Sequence, residues 1–266
     1  FCFDGFLELK NKRIRIKRVH LEEDTGKSLH EAKETLLDFN KSGMALVEIV
    51  TEPDFHDIHE AVEFSKMIQK ISRALGVSDC DMEKGQMRIE ANISVREKGL
   101  SELPNYRVEV KNINSFKFLE KAVNYEFERQ SKILEKGETV VQENRGFDDK
   151  KGITISQRQK EEESEYRYFP EPDIPPFEFS EEYVDELKNK IPELPNKKIE
   201  RYINNLGLSQ SSAEILTETP EISLKFEEVA KVTNAKDASN ILVNKLDFRE
   251  KSVSEIIDYI KKTNSK

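Results

Sequence analysis

The chain has no tryptophan and only two cysteines in 266 residues. Two cysteines cannot supply a four-cysteine zinc site or the disulfide framework of a small secreted protein, so a reducing compartment is favoured. No run of about 18 apolar residues occurs, so we expect no membrane-spanning helix. The sequence also lacks a convincing Ser-His-Asp or Cys-His arrangement, and we therefore expect no nucleophile of its own.

Positive charge is outnumbered by negative charge. The chain has 43 lysines and arginines against 52 aspartates and glutamates, which gives a formal net charge of −9. A protein that coats nucleic acid without specificity is normally basic, so that class is excluded, whereas a local RNA site is not. The length is suited to one large or two ordinary domains, and a hydrophobic content of 36% supports a globular core.

Four short blocks, at residues 19–27, 45–54, 86–96 and 107–112, place carboxylates beside strand-type hydrophobic patterns. In the third block, apolar residues from Met87 to Val95 alternate with a polar face of mixed chemistry. Carboxylate, guanidinium, amide and hydroxyl groups on one face suit a metal together with a polyanion. The alternative is the solvated face of an antiparallel sheet.

The first block crowds an imidazole and three acids into five residues. In a strand, His20, Glu22 and Asp24 share one face and Glu23 opposes them. A magnesium site needs only one or two such carboxylates, although an acidic strand end is equally common. In the second block Glu48 is in phase with apolar neighbours, and a carboxylate that faces an interior must be paired or metal-bound.

The hydrophobic periodicity predicts strands near residues 6–24, 44–50, 86–96 and 106–111, and helices near 57–76 and 115–135. Ser115 is the predicted N-cap of the second helix. Six helix-like stretches and no strand follow residue 179. We therefore predict an α+β domain at residues 1–178 and an all-helical domain at 179–266. The residues predicted to face inward from the second helix are Phe116, Leu119, Val123, Phe127 and Leu134.

The order of the blocks resembles the GatB family, the B subunits of tRNA-dependent amidotransferases. The matching stretches are residues 19–27, 38–54, 82–95, 108–116 and 166–176, the last of which contains Tyr-Arg-Tyr-Phe-Pro-Glu-Pro-Asp. Five ordered motifs make the resemblance specific, and it extends over nearly the whole chain, more weakly after about residue 180. It implies a glutamine-synthetase-like cradle domain, an antiparallel sheet with helices, followed by a small helical domain.

The resemblance also implies a chemistry. ATP phosphorylates the side-chain carboxylate of Glu-tRNA(Gln) or Asp-tRNA(Asn), and glutamine-derived ammonia displaces the phosphate with Mg²⁺ present. It implies Glu23, Glu48 and Glu90 as metal ligands that converge on one cavity, although Glu90 stands where the family motif usually has aspartate. It implies Glu23, Arg88 and Lys111 as catalytic residues. The implied substrate-binding residues are His20, Asn92, Asn112, Asn114, Ser115 and Arg167.

The implied partners are a glutaminase A subunit, a small C subunit and misacylated tRNA(Gln) or tRNA(Asn), with no membrane. The implied location is the bacterial cytoplasm, or the organellar matrix or stroma in a eukaryote. Nothing in the sequence corresponds to the family's N-terminal Glu and His or to its C-terminal tail domain, so we expect the chain to be inactive alone. Lys197, Lys198 and Arg201 form a basic cluster that contacts RNA or is simply a solvated helix face. Two alternatives remain: a free-standing ligase for a small carboxylic acid, and a non-catalytic fragment that keeps the fold and a partner interface.

Overall fold

The computed structural model describes residues 2–10, 12–30, 34–159 and 175–264. By its contacts the chain divides into two compact units, Phe1–Phe64 and Ser65–Lys266. The division falls inside helix α1 (Ile58–Ala74), which begins after Asp57 and ends before Gly76, as predicted. The domain boundary near residue 178 stays a prediction.

The first unit contains a three-stranded antiparallel sheet. Its strands are β1 (Cys2–Glu8), β2 (Arg13–Glu23) and β5 (Ala45–Thr51), with β2 in the centre. A separate hairpin, β3 (Lys27–His30) and β4 (Thr35–Asp38), was not expected from the sequence. Because β2 is paired on both sides, its side chains are held at fixed positions along the ladder.

The second unit begins with a four-stranded mixed sheet. Its strands lie in the order β6 (Ile89–Ile93), β7 (Val108–Ile113), β8 (Glu143–Asp148) and β9 (Ile153–Gln159). The pair β7–β8 is parallel, so the expectation of an antiparallel sheet is wrong at this pair. The reason is helix α2 (Phe116–Glu135), which connects the two strands and lets the chain re-enter the sheet in the same direction.

Helix α2 packs on one face of this sheet. The Ser115 hydroxyl accepts a hydrogen bond from the backbone N–H of Phe118 at 3.1 Å, which confirms the predicted N-cap. The predicted inward face is partly wrong, because Phe127 is 57% exposed. A polar network on the sheet, not the apolar pattern alone, determines the rotation of the helix. The buried residues of α2 are Leu119, Ala122, Glu126 and Gln130.

Residues 175–264 are helical and contain no strand, as predicted. Tyr202 and Phe226 lie at the centre of the core of this region, with ring centroids 4.9 Å apart. The whole chain is therefore of the α+β class. None of the helices in the described ranges is both long and apolar enough to cross a membrane. The helices are α3 (Glu181–Lys190), α4 (Pro195–Asn204), α5 (Gln210–Leu216), α6 (Pro220–Ala230), α7 (Ala235–Asn244) and α8 (Val253–Asn264), with a 3₁₀ turn at Leu246–Arg249.

Candidate metal and substrate site

An imidazole and two carboxylates meet on one face of the β2–β5 ladder. The register places His20 directly opposite Glu48, and Glu22 lies two positions further along the same face. His20 Nε2 lies 2.8 Å from Glu22 Oε1 and 3.0 Å from Glu48 Oε2. One ligand atom from each of these three residues lies within 4.8 Å of the other two, and no other such group occurs in the part of the chain that the structure describes.

Arg18 completes the hydrogen bonding of this cluster. Its Nη2 lies 3.4 Å from Glu48 Oε2, and its Nε donates to His20 Nδ1 at 3.4 Å. Because Nδ1 accepts, the proton of the neutral imidazole belongs on Nε2, which then donates to a carboxylate. The two acids are thus partly neutralised by neighbouring groups on strand β2.

Glu23 is not a member of this cluster. Its register partner is Ala45, one position out of phase with the His20–Glu48 pair, so Glu23 points to the opposite face of the ladder. The carboxylate beside His20 is instead that of Glu22, which was given no ligand role. The strand period was the signal that could have found it, since it put His20 and Glu22 in phase. A ligand role for Glu23 stays a prediction, as does the convergence of Glu23, Glu48 and Glu90.

The cluster fits a divalent cation. Magnesium takes oxygen ligands at about 2.1 Å, so two ligands on opposite sides of the ion lie about 4.2 Å apart. The ligand atoms of the cluster all lie within 4.8 Å of one another, which is compatible with that value. The carboxylates of Glu22 and Glu48 are suitable oxygen donors, and both are partly exposed, which leaves room for water ligands.

A second charged group lies on the four-stranded sheet of the other unit. Lys111 Nζ lies 3.3 Å from Glu90 Oε2 and 3.6 Å from Glu109 Oε1. Partial burial raises the pKa of Glu90, an effect that Lys111 opposes and Glu109 reinforces. Glu90, Lys111 and Glu109 therefore form a charged row on the face of the sheet that α2 does not cover, with the ammonium between the two carboxylates.

The remaining predicted substrate residues are placed differently. Asn92 lies on the same open face, opposite Glu109. Asn112 is also exposed and adopts the left-handed conformation, with a φ of 63°. The Ser115 hydroxyl already caps α2, which is a structural role. Arg88 and Asn114 are exposed, whereas Arg167 lies outside the described residues.

A buried ionic network lies on the α2 side of the same sheet. The fully buried Glu126 accepts hydrogen bonds from Arg129 Nη2 at 2.9 Å and Gln130 Nε2 at 3.0 Å, and also from the Thr154 hydroxyl. Arg145 Nε lies 3.1 Å from the same carboxylate. Sequence reasoning missed this network, because its members lie on three separate elements with no shared motif.

The basic cluster of the helical region is ion-paired. Lys197 lies 3.0 Å from Glu200, and Lys198 lies 3.8 Å from Glu227. Arg201 contacts Glu227 at 2.6 Å, and its second partner, Glu193, lies at 2.7 Å. These pairs reduce the positive charge available to RNA, and RNA contact by the cluster stays a prediction.

The mixed sheet and the histidine–carboxylate cluster both lie in the part of the chain that a family comparison covers. A family model described as the GatB/GatE catalytic domain matches residues 1–185. The chain therefore belongs to the GatB/GatE catalytic-domain family.

Several curated relatives share one description, the B subunit of an aspartyl/glutamyl-tRNA(Asn/Gln) amidotransferase. The protein of Thermotoga maritima is 49% identical over 254 residues, which cover 91% of this chain and 52% of the relative. The protein of Caldicellulosiruptor saccharolyticus is 46% identical over 252 residues, which cover 92% of this chain and 52% of the relative. The protein of Persephonella marina is 45% identical over 249 residues, which cover 91% of this chain and 52% of the relative. The chain thus spans about half the length of the curated relatives it matches.

Proposed function

We propose that the chain is the catalytic part of the B subunit of a tRNA-dependent amidotransferase. The reaction is ATP-dependent activation of the side-chain carboxylate of Glu-tRNA(Gln) or Asp-tRNA(Asn), followed by amidation with glutamine-derived ammonia. Its partners are a glutaminase A subunit and a small C subunit, in the bacterial cytoplasm or an organellar matrix or stroma. The observation that supports this proposal is the family match over residues 1–185, within which the His20–Glu22–Glu48 cluster lies.

The charged groups suit phosphoryl transfer, which depends mainly on positioning and electrostatics. In the proposal, Glu22 and Glu48 hold Mg²⁺, whose charge when bound would offset the negative charge of the transferred phosphoryl group, and His20 orients the two carboxylates. Lys111 is held by Glu90 and Glu109, so its ammonium stays on the open face as a donor to phosphate or carboxylate oxygens. Arg88 precedes β6 and offers a planar, bidentate guanidinium for the same purpose.

The test places residues 1–266 within a full-length B subunit and combines it with the A and C subunits of an amidotransferase, Glu-tRNA(Gln), ATP, Mg²⁺ and glutamine. We expect formation of Gln-tRNA(Gln) that requires ATP, measured by digestion of the tRNA and chromatography of the released aminoacyl-adenosine. Glu48→Gln removes one ligand charge, and we expect the rate of amidation to fall about 100-fold, in the range seen when an electrostatic group is removed. Glutaminase activity of the A subunit should not change.

The matched control is Glu8→Gln, because Glu8 is also a surface carboxylate of the same sheet and is paired with an arginine, Arg13. We expect this variant to amidate at the unmodified rate. Glu22→Gln and Glu23→Gln separate the two candidate ligands, and isothermal titration with Mg²⁺ should show weaker binding for the first only. No ATP-dependent amidation by the assembled subunits, or full activity of Glu48→Gln, would contradict the proposal.

A further inference from the structure

A β-bulge in strand β2 determines which side chains of β5 face the histidine. The register between β2 and β5 shifts between Ile16 and Arg18, so Lys17 is an extra residue of β2. Without this extra residue the ladder would place Glu48 one position out of phase with His20, on the opposite face of the sheet. Such bulges re-aim individual side chains and are over-represented beside active sites.

Arg18 is the first residue after the bulge, and it contacts two members of the cluster at once. Its Nε donates to His20 Nδ1 and its Nη2 donates to Glu48 Oε2, each at 3.4 Å. Among the described residues the guanidinium makes no other hydrogen bond or ion pair. Its contacts are thus confined to the cluster, although its side chain is 34% exposed and could have turned to solvent.

These contacts distinguish the two oxygens of each carboxylate. Nitrogens of Arg18 and His20 both lie beside Oε2 of Glu48, and His20 also lies beside Oε1 of Glu22. The second oxygen of each carboxylate receives no hydrogen bond from the described residues. One oxygen of each acid is therefore held by the protein and the other is open to a cation, which is how outer-shell partners orient metal ligands.

The tautomer of His20 depends on Arg18. A guanidinium nitrogen can only donate, so the neutral ring accepts at Nδ1 and carries its hydrogen on Nε2, the atom that faces both carboxylates. In the other tautomer Nε2 would be an acceptor among carboxylate oxygens, and the ring would hold neither acid. The fork of the guanidinium reaches the ring and Glu48 together, whereas a lysine offers a single nitrogen.

We propose that Arg18 is a positioning residue of the cation site. It holds His20 in the tautomer with hydrogen on Nε2 and holds Glu48 through one oxygen, so that Glu22 and Glu48 present their other oxygens to Mg²⁺. This deepens the proposed function and rests on its assignment of the two carboxylates to Mg²⁺. The positive charge of Arg18 by itself opposes the binding of a cation nearby, so the proposal assigns the benefit of Arg18 to geometry.

The test uses Arg18→Lys, which keeps the charge and removes the fork. The variant is made in a full-length B subunit that contains residues 1–266, assembled with the A and C subunits and freed of metal by chelation. Isothermal titration with Mg²⁺ measures the affinity, and the site is identified as the binding that Glu48→Gln removes. We expect Arg18→Lys to weaken this binding about tenfold, the lower end of the loss of about 10–100-fold that follows replacement of outer-shell partners.

The matched control is Arg13→Lys, which changes another arginine of β2 that is paired with a carboxylate, that of Glu8. We expect this variant to bind Mg²⁺ with the unmodified affinity. Both variants should keep the circular dichroism of the unmodified subunit, because partly exposed ion pairs contribute little to stability.

A second measurement reports the tautomer directly. Solid-state NMR of metal-free B subunit, with nitrogen-15 in its histidines and at alkaline pH, shows which ring nitrogen carries hydrogen. The signals of His20 are identified by their absence in His20→Gln. We expect hydrogen on Nε2 in the unmodified protein and a mixture of tautomers in Arg18→Lys, because an ammonium prefers the carboxylate of Glu48 and leaves Nδ1 without its donor.

The outcomes separate this inference from the proposed function. Weaker binding of Mg²⁺ together with a mixture of tautomers supports the positioning role. Arg18→Lys that binds Mg²⁺ as well as the unmodified subunit or better, or that binds it more weakly with an unchanged tautomer, overturns the inference and leaves the proposed function intact. An unmodified subunit that binds no more Mg²⁺ than Glu48→Gln overturns the cation site itself, and the inference with it.

Discussion

Replacing the buried Glu126 by glutamine should strongly destabilise the second unit. Glu126 and Glu143 lie among two guanidinium groups, those of Arg129 and Arg145, which are only 20% and 12% exposed. Two negative charges therefore balance two positive charges, and Glu126→Gln leaves one positive charge uncompensated. Removing one partner of a buried ion pair costs about 3–5 kcal/mol. Because glutamine keeps the shape and one acceptor oxygen, we expect a loss of about 3 kcal/mol, at the lower end of that range.

The measurement is urea denaturation of both proteins, followed by circular dichroism and analysed for the free energy of unfolding. For a domain of about 150–250 residues, 3 kcal/mol corresponds to a fall in Tm of about 6–12 °C. The matched control is Glu128→Gln on the same helix, whose carboxylate is 68% exposed and lies 3.9 Å from Lys132. An exposed pair of this kind contributes less than about 0.5 kcal/mol. A loss below about 1 kcal/mol for Glu126→Gln would show that the network does not stabilise the sheet and helix as reasoned.

Two further predictions concern α2. Burial raises the pKa of Glu126, but hydrogen bonds from Arg129, Gln130 and Thr154 outweigh that effect and lower the pKa below its usual value. Its stabilising contribution is therefore complete above the unfolded-state pKa of about 4.3 and is lost as the pH falls through the folded-state pKa. In urea titrations, the difference in stability between the unmodified protein and Glu126→Gln should begin to shrink below about pH 4.3 and keep shrinking as the pH falls. Ser115→Ala should lower the free energy of unfolding by about 1 kcal/mol because α2 loses its N-cap, whereas Ser115→Asp should keep most of that stability. If Ser115→Ala unfolds at the same urea concentration as the unmodified protein, the hydroxyl does not act as the cap.

The local elements were largely predictable from the sequence, because their signals are local. Asp57 and Gly76 delimit α1, Ser115 begins α2, and the helices after residue 179 are separated by proline, glycine or asparagine. The direction of β8 was not predictable in the same way. It depends on where α2 returns the chain, which is a property of tertiary packing.

The rotation of α2 shows how buried polar residues mislead a hydrophobic pattern. Phe127 was expected inside and is exposed, while its neighbour Glu126 is fully buried. A periodicity based on apolar residues counts glutamate as a surface residue. The two arginines that make burial of Glu126 tolerable lie three residues away on α2 and on strand β8, and only the folded structure brings the second one close.

The alternation of side chains along each strand places the residues of the candidate site. This explains why some of these positions could be predicted from the sequence and others could not. Simple alternation is enough to place His20 and Glu22 on one face of β2, but it does not give the ladder register, which brings Glu48 opposite His20. Alternation fails at Asn112 and Gln157, where an extra residue shifts the phase and turns an amide towards Gly146. Each bulge exchanges the faces of every residue beyond it, so a site read from spacing alone is reliable only as far as the next irregularity. The residues around these two bulges are therefore where mutagenesis will add most to what the motifs already indicate.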